Sequence, residues 1–524
     1  MTFPRKIAVL LLLIAVAAGV GRFYKLELPS LRWFFSFTLT EGLQQKYPKI
    51  APYVTPVCGW GMLAIMLLCA IALWLGGKDF EWNPMTVRRM KRFRSLSRGY
   101  RSFLLLAGLV LLTLPDHALV GRKALLVKYE GKWFFPAFVS QNYTADTFGA
   151  AEKLATNYRE LKESFALEND GNFVLMPLIP WDTTFDTDEL QKIELEKRDG
   201  VYYETGSQKP YQGLGTSYDP QNPKAKQREV TFRKGRLQGL GTLYNAKGDP
   251  IGKEQWKQGE LVSRELGEGA EADAEKIKSD QYFALKYPPA APSLSRGHLL
   301  GTDSRGWDLF AQLYGGLQVV CKASVLYVFL TFAIGITVGL VNGYFGGWLD
   351  LLSQRLIEVM SNIPFLFIVM IIASRIGREN VSIVVIVAVM SFFAWIGISS
   401  YKRTAALKER QRDYVAAARV LGAGVPRILF RHILPNVLST TITLVPFSVT
   451  AVATSLTALD FIGFGLPDRY PSWGTLLADG LANLEAPWIV GSVFVALVTL
   501  LLLITFVGEA IREAFDPKKF TTYS

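Results

Sequence analysis

The sequence predicts an all-α polytopic membrane protein with a mainly β domain inserted on its outer side, and three observations carry that prediction. Apolar runs of about 20 residues recur along the chain, the length a helix needs to cross the hydrocarbon core. Lys and Arg gather in short segments between some of those runs, as they do on the cytoplasmic side of membrane proteins. The stretch from about 120 to 300 has no such run, and glycines cut it into short aromatic and β-branched pieces, the pattern of β-hairpins.

Composition agrees. Of 524 residues 50% are hydrophobic and only 19% charged, yet the formal net charge is +12. A nucleic-acid footprint would be a basic face on a soluble domain. Here the basic residues flank apolar runs, so no nucleic-acid partner is expected and membrane lipid is. Cys58, Cys69 and Cys321 lie in or beside the runs, and no cysteine lies between 120 and 300. That stretch therefore has no disulfide framework.

Spans are expected near 59–76, 102–119, 317–341, 355–375, 381–400, 436–458 and 487–508. An eighth run, Ile7 to Val20, follows Arg5 and Lys6 and ends in small residues. It reads as a cleaved signal peptide or as a retained helix, and the retained helix is favoured. Lys78, Arg88, Arg89, Lys91, Arg92, Arg94, Arg98 and Arg101 face only Asp79 and Glu81 in the segment 77–101. With Lys402 to Arg431 and with Lys518 and Lys519, they set the cytoplasmic side. Both termini are then cytoplasmic, and 21–58, 120–316, 376–380 and 459–486 lie outside. The domains follow: an extension 1–101 with two membrane helices and a basic linker, a first core helix 102–119, an outer domain 120–300 and a five-helix core 301–524 with a loop at 401–435.

In the outer domain, Leu125–Phe138 reads as a hairpin around Glu130-Gly131. Gln212-Gly-Leu-Gly-Thr216 with Tyr218 is echoed by Gln238-Gly-Leu-Gly-Thr242 with Tyr244, and Phe232-Arg-Lys-Gly235 by Trp256-Lys-Gln-Gly259. Stacked hairpins over about 198–262, loosely like MORN-type repeats, are expected. A plain spacer and a binding role both remain open for them. Glu265 to Lys278 reads as a helix or a linker, and Pro288, Pro289 and Pro292 as an extended lead into the membrane part.

The loop Tyr414–Pro435 reads YVAAARVLGAGVPRILFRHILP. Asp413 is a plausible N-cap for a helix through Leu421, and Gly422 sits where a left-handed cap would stop it. Pro426 suits the first turn of a second helix, expected to end before Pro435. Ala416, Ala417 and Ala418 give a small-residue face that another protein's surface can approach closely.

Here the chain resembles the permease subunits of ABC importers. Their loop motif runs Glu-Ala-Ala, three residues, Gly, nine residues, Ile-x-Leu-Pro. Aligned on Gly422, this chain has Ala416-Ala417-Ala418 and His432-Ile433-Leu434-Pro435, with Ala for Glu and His for the first Ile. Such departures are similar to those of the dipeptide/oligopeptide branch. His298–Asp308 (HLLGTDSRGWD) resembles that branch's GTDxxGRD entry, with Trp307 and Gln318 where Arg is usual. Gly343–Asp350, Ile363-Pro364-Phe365, Leu459–Pro467, Pro471–Gly474 and Gly508–Pro517 match further family segments. The likeness covers roughly 90–190 and 285–524 and is strongest to the microcin C-type peptide importers.

The resemblance implies a type I permease core and a coupling helix that docks on an ATPase. It assigns Tyr414, Ala416, Ala417, Ala418, Arg419, Leu421, Gly422, Pro426, Arg431 and Pro435 to that coupling loop. It implies as partners two ABC ATPase subunits or one fused ATPase, a second homologous permease and a periplasmic substrate-binding protein. ATP and Mg would sit on the ATPase partners, with no cofactor on this chain. The bacterial inner membrane, with the large domain periplasmic, is the expected location. Peptides, microcin-like antibiotics and other peptide mimics stay open as substrates, and nickel is a lesser alternative.

Catalysis finds little support. GxxxxGK[ST] and GxSxG are absent, and the Gly213/Gly215 and Gly239/Gly241 pairs read as turn residues. His117, His298 and His432 fall in different compartments, and Asp182, Asp186 and Asp188 read as loop charge. Within the spans Glu358 is expected to pair with Arg355 one turn away. Small residues (Gly335, Gly339, Ala373, Ala388, Gly397) favour close helix packing. The competing class is a membrane-anchored sensor that works through its outer domain, which would leave the 414–435 motif without a purpose.

Overall fold

A computed structural model describes residues 2–35, 49, 51–76, 84–149, 155–168, 170–187, 191–205, 208–219, 222–245, 249–267, 271, 274, 277, 281–286, 288–294 and 297–515. It divides into two compact units, Met1–Asp186 with Pro292–Gly301 and Trp307–Ser524, and Thr187–Ala291 with Thr302–Gly306.

The first unit opens with α1 (Phe3–Phe23), α2 (Ala51–Gly76), α3 (Pro84–Ser95) and α4 (Ser97–Leu112). The hairpin β1 (Leu126–Tyr129) and β2 (Lys132–Phe134) follows, then α5 (Tyr158–Glu168) and β3 (Phe173–Leu175), which pairs with β1. The core comprises α6 (Leu309–Phe345), α7 (Gly347–Ser361), α8 (Phe365–Ile376), α9 (Ile383–Glu409), α10 (Asp413–Val420), α11 (Val425–Arg427), α12 (Leu434–Thr441), α13 (Val445–Phe461), α14 (Trp473–Ala482) and α15 (Pro487–Phe515).

Six helices among the described residues are long and apolar enough to cross a membrane, and the bent pairs α3–α4 and α7–α8 raise the number to eight. Eight runs are what the sequence shows, although α1 is longer than the run Ile7–Val20 that announces it. The α3–α4 bend is 91°. Helix α3 carries Arg88, Arg89, Lys91, Arg92 and Arg94, charges that do not enter hydrocarbon cheaply, whereas most of α4 is apolar. The basic linker is thus largely helical; Lys78, Asp79 and Glu81 lie outside the described residues, as do Lys518 and Lys519. The 71° bend between α7 and α8 falls at Pro364, which has no N–H to donate and opposes a continuous helix.

Helix α6 spans 37 residues, about 55 Å at 1.5 Å per residue. It packs against α9 along a seam of Gly335, Gly339 and Gly343. A β-carbon on these would lie 2.7 Å from Ile398, 2.5 Å from the Ser399 oxygen and 2.5 Å from the Arg403 oxygen. The glycines therefore bring two backbones together, as small residues do between membrane helices. Gly397 faces open space instead.

The second unit is an eight-stranded antiparallel sheet in the order β10-β9-β8-β7-β6-β11-β4-β5. Its strands are β4 (Gln191–Arg198), β5 (Val201–Glu204), β6 (Gly213–Asp219), β7 (Asn222–Arg233), β8 (Arg236–Tyr244), β9 (Pro250–Lys257), β10 (Glu260–Leu266) and β11 (Tyr282–Lys286). Asp199-Gly200, Lys234-Gly235 and Gln258-Gly259 join strands with both φ values positive, the turn whose twist suits adjacent strands. Glu130-Gly131 does the same between β1 and β2. These turns close the hairpins, whereas the Gly213/Gly215 and Gly239/Gly241 pairs are not turn residues as their sequence suggests. They sit in strands, and a β-carbon on Gly215 would meet the Phe232 ring at 2.4 Å. Phe232, Val230, Tyr202 and Tyr282 form the core around that gap. Glu265 and Leu266 end β10; most of the remainder of Glu265–Lys278 lies outside the described residues, as does Asp188.

Candidate functional site

Helix α10 starts at Asp413, which lies in its first turn; Arg412 holds the N-cap position and makes no side-chain cap bond. Gly422 ends the helix with φ +76°, the left-handed cap the sequence leads one to expect. Pro426 sits in the first turn of α11. The chain does not stop at Pro435, however. A π-helical turn, Ile428–Ile433, runs straight into α12, where Pro435 takes an N-terminal position. Wider turns of this kind re-register the backbone bonds, so the proline is accommodated rather than breaking the helix.

One face of this helix–turn–helix is core. Val415, Ala418, Ile428, Leu429 and Ile433 pack with Leu340, Tyr344, Ala406 and Val437. Ala418 is therefore an anchor and not part of a presented face; only Ala416 and Ala417 are exposed. Arg431 and Pro435 are exposed as well. The tip is apolar and bare: Val420 is 88% and Leu421 85% exposed. Val420 was missed by the motif reading, since only the fold shows which positions of the last turn project.

Polar contacts hold the base of this loop. The Tyr414 hydroxyl donates to Glu409 at 2.8 Å, and burial, followed by that carboxylate, pushes its phenol above the usual value. Arg419 Nε donates to the Tyr344 hydroxyl at 3.3 Å, its guanidinium 5.1 Å from that ring. Three cations of α9 and its C-cap bind three other elements. Lys402, fully buried, donates Nζ to the Val437 carbonyl at 3.0 Å. Arg403 grips the Asp350 carboxylate with two bonds of 2.5 and 2.6 Å. Arg410 donates to the carbonyls of Tyr344 and Phe345 at 2.9 and 3.4 Å, the electronegative end of α6. The sequence placed Lys402 and Arg403 in a loop; they belong to α9, which runs on to Glu409. Their spacing on a helix was the signal.

A second centre lies at the other end of α6 and α9. The buried Asp460 carboxylate accepts the Leu466 N–H at 2.6 Å and the Ser472 hydroxyl. Trp473 Nε1 donates to the Leu313 carbonyl at 2.9 Å and Arg469 to that of Val381 at 3.1 Å. Gly465 and Gly474 leave no room for side chains against Asp460.

The entry segment is organised by His298. Its Nδ1 donates to Asp308 at 2.8 Å, and Asp308 also caps α6 through the Ala311 N–H at 2.8 Å. The imidazole stacks on Trp181 at 4.2 Å, and Arg159 lies 4.0 Å from that indole while binding Asp186 at 2.8 and 2.9 Å. Asp186, itself buried, is thus half of a part-buried ion pair rather than loop charge. Gln318, standing where the family has Arg, donates to the Thr113 carbonyl at 3.0 Å and to Asp116 at 3.2 Å. Glu358 pairs with Arg355 at 2.6 Å on an exposed helix face. No group of His, Cys, Asp and Glu among the described residues is arranged to hold a metal.

A helical core with a bolted, apolar-tipped loop at one end and a β insert defines the class of a membrane permease subunit. Residues 335–521 match the family model "Binding-protein-dependent transport system inner membrane component". The chain is 41% identical over 232 residues to the peptidoglycan transport system permease YejE of Agrobacterium fabrum, covering 44% of this chain and 60% of that one. It thus spans less than two thirds of that relative. It is 29% identical over 437 residues to the inner membrane ABC transporter permease YejE of Escherichia coli, covering 83% of this chain and 98% of that one. It is 32% identical over 230 residues to the oligopeptide transport system permease OppC of Haemophilus influenzae, covering 44% of this chain and 73% of that one. The chain belongs to the binding-protein-dependent transport permeases, multi-pass inner-membrane components of ATP-binding cassette systems.

Proposed function

We propose that the chain is one of two permease subunits of an importer for peptides or peptide-bearing compounds, driven by ATPases that dock on the 413–435 loop. The observation that carries this is the bare apolar tip of Val420 and Leu421 on a helix whose opposite face is locked to the core. Exposed apolar groups with rigid support mark protein interaction sites. ATP and Mg would be bound and hydrolysed on the partner subunits. The loop end would then face the cytoplasm, with both termini, and the β insert the periplasm, as the Lys/Arg distribution supports. A periplasmic binding protein would deliver substrate. One relative is named for oligopeptides and another for peptidoglycan, and peptide amides are common to both.

Transport follows by alternating access. Closure of the ATPases moves α10, and the movement reaches α9 through the buried contacts of Val415 and Ala418 and the bonds of Lys402, Arg403 and Arg410. Ligand binding shifts such an equilibrium only through contacts that differ between the two states. Affinity purification of the tagged protein in mild detergent, with mass spectrometry of its partners, tests the reading. Two P-loop ATPases and a homologous permease are expected; recovery of this chain alone, in a detergent that preserves such complexes, overturns it in favour of a sensor.

A further inference from the structure

Helices α1 and α2 join the core through the segment 25–31. Leu26 bridges Val139, Glu27 N–H donates to the Phe138 carbonyl at 2.8 Å, and the Ser30 hydroxyl to that of Leu114 at 2.7 Å. Beside this junction lies a cleft of about 1310 Å³, above the roughly 300–1,000 Å³ of ordinary small-molecule pockets. One part of its wall is apolar, with Phe35, Met62, Val319, Leu326 and Ile383. The remainder carries Arg22, Lys25, Arg122, Lys123, Lys322 and Arg469 against Glu27, Asp116 and Asp182. Among the described residues six cations face three carboxylates, and each of these carboxylates is already engaged. Glu27 lies 3.7 Å from Lys123, Asp182 4.0 Å from Arg122, and Asp116 accepts from Gln318 at 3.2 Å.

Two of the cations fix the depth of the cleft in the bilayer. Arg22 closes the uncharged run 7–21 of α1, and Lys322, the one charge within α6, stands about 35 Å at 1.5 Å per residue from the helix end at Phe345, close to the roughly 30 Å of the hydrocarbon core. Each therefore stands where its helix leaves the hydrocarbon, the level at which Lys and Arg meet lipid phosphates. Two helices bring these cations to one cleft, with apolar wall beside them.

We propose that this cleft is a binding site for an anionic phospholipid, the phosphate held by Arg22 and Lys322 and the acyl chains lying along Val319, Leu326 and Ile383. The proposal does not depend on the transport reading. An anionic headgroup matches the excess of Lys and Arg over carboxylates among the described lining residues, and acyl chains match the apolar wall, which a soluble anion leaves bare.

The test is native mass spectrometry of the full-length protein in detergent, titrated with phosphatidylglycerol, phosphatidylcholine or inorganic phosphate. Wild type is expected to retain phosphatidylglycerol over phosphatidylcholine. The Arg22→Gln/Lys322→Gln variant is expected to hold phosphatidylglycerol roughly tenfold or more weakly, while Arg22→Lys/Lys322→Arg keeps it. Equal retention of the two lipids by wild type overturns the proposal, and that comparison needs no variant. Unchanged retention by the Gln variant overturns it too. Full displacement of the lipid by millimolar phosphate would make it a soluble-anion site and would likewise overturn it.

Discussion

Serine at both Val420 and Leu421 separates docking from folding. Both side chains are almost fully exposed, at 88 and 85%, so the isolated permease gains next to nothing from them. Surface changes of this kind usually leave stability within about 0.5 kcal/mol. In a complex the same side chains would be buried, and full burial of a Val or Leu stabilises by about 1.5–3 kcal/mol. The Val420→Ser/Leu421→Ser variant should therefore weaken association by about 3 kcal/mol or more, roughly a hundredfold in Kd. The assay titrates purified ATPase subunits onto the detergent-solubilised permease and follows substrate-stimulated ATP hydrolysis after reconstitution. Thermal unfolding of the permease alone serves as the control. Val415→Ser is the counterpart, because Val415 is fully buried in the loop's own core and its loss should lower stability instead. A change in Kd of less than threefold for the double variant, with hydrolysis still stimulated, would refute the docking argument.

Gly339→Leu would set a β-carbon 2.5 Å from the Ser399 oxygen and part α6 from α9. A loss of about 1–3 kcal/mol is expected, read as a lower unfolding midpoint in detergent. Asp460→Ala leaves the Leu466 N–H and the Ser472 hydroxyl without their acceptor, a cost of about 2–6 kcal/mol at about 1–3 per orphaned group. Limited proteolysis within 460–474 should then become faster. In the insert, Glu254 is buried between Arg228 at 3.1 Å and Arg264 at 2.6 Å. Glu254→Gln leaves Arg228 buried without its counter-charge and should destabilise that unit by about 3–5 kcal/mol, seen as earlier unfolding by tryptophan fluorescence. Burial, then the charge of Glu204, raises the Tyr211 phenol from 10.0 to about 12. The folded state therefore holds this proton more tightly than the unfolded chain, so the contribution is whole below pH 10 and is lost as pH rises towards 12. Tyrosinate absorbance against pH should show a late phase that Tyr211→Phe lowers by one tyrosine, Tyr158 being raised to about 12 as well.

Local chemistry explains how much of this was readable. Helix number, the Gly422 cap and the Glu130-Gly131 hairpin depend on a run of hydropathy or on left-handed φ, all properties of contiguous residues. Long-range packing was not readable. Nothing near Ala418 distinguishes it from Ala416 and Ala417; its burial depends on Leu340 and Ile428, which come from other helices. Gly215 looked like a turn residue because its reason for being glycine, the Phe232 ring, lies on the next strand. The grip of Arg403 on Asp350 spans 53 residues, and no local pattern pairs them. Pro435 misled for a different reason, since a π-helical turn is a rare way past a proline and the expected ending is the commoner one.

The loop has structural use for one face of α10 only, and that asymmetry constrains how a push at the tip can travel. In the proposed cycle Val415 and Ala418 would pass it to the Leu340, Tyr344 and Ala406 side chains of α6 and α9, and close-packed interiors shift between discrete arrangements rather than deform smoothly. The glycine seam joins α6 to α9 over three successive turns, so the two helices should move as one body. At the far end that body is tied to the Asp460 loop through Trp473 at Leu313 and Arg469 at Val381. Compliance must then lie where helical bonding is already interrupted: at Pro364 between α7 and α8, and in the π-helical turn before Pro435. One interruption lies between α6 and α9 in sequence and the other follows α9. In the proposed transport cycle the pair would act as a stiff lever between the tip and the Asp460 loop, hinged by the two segments whose prolines opposed a regular helix.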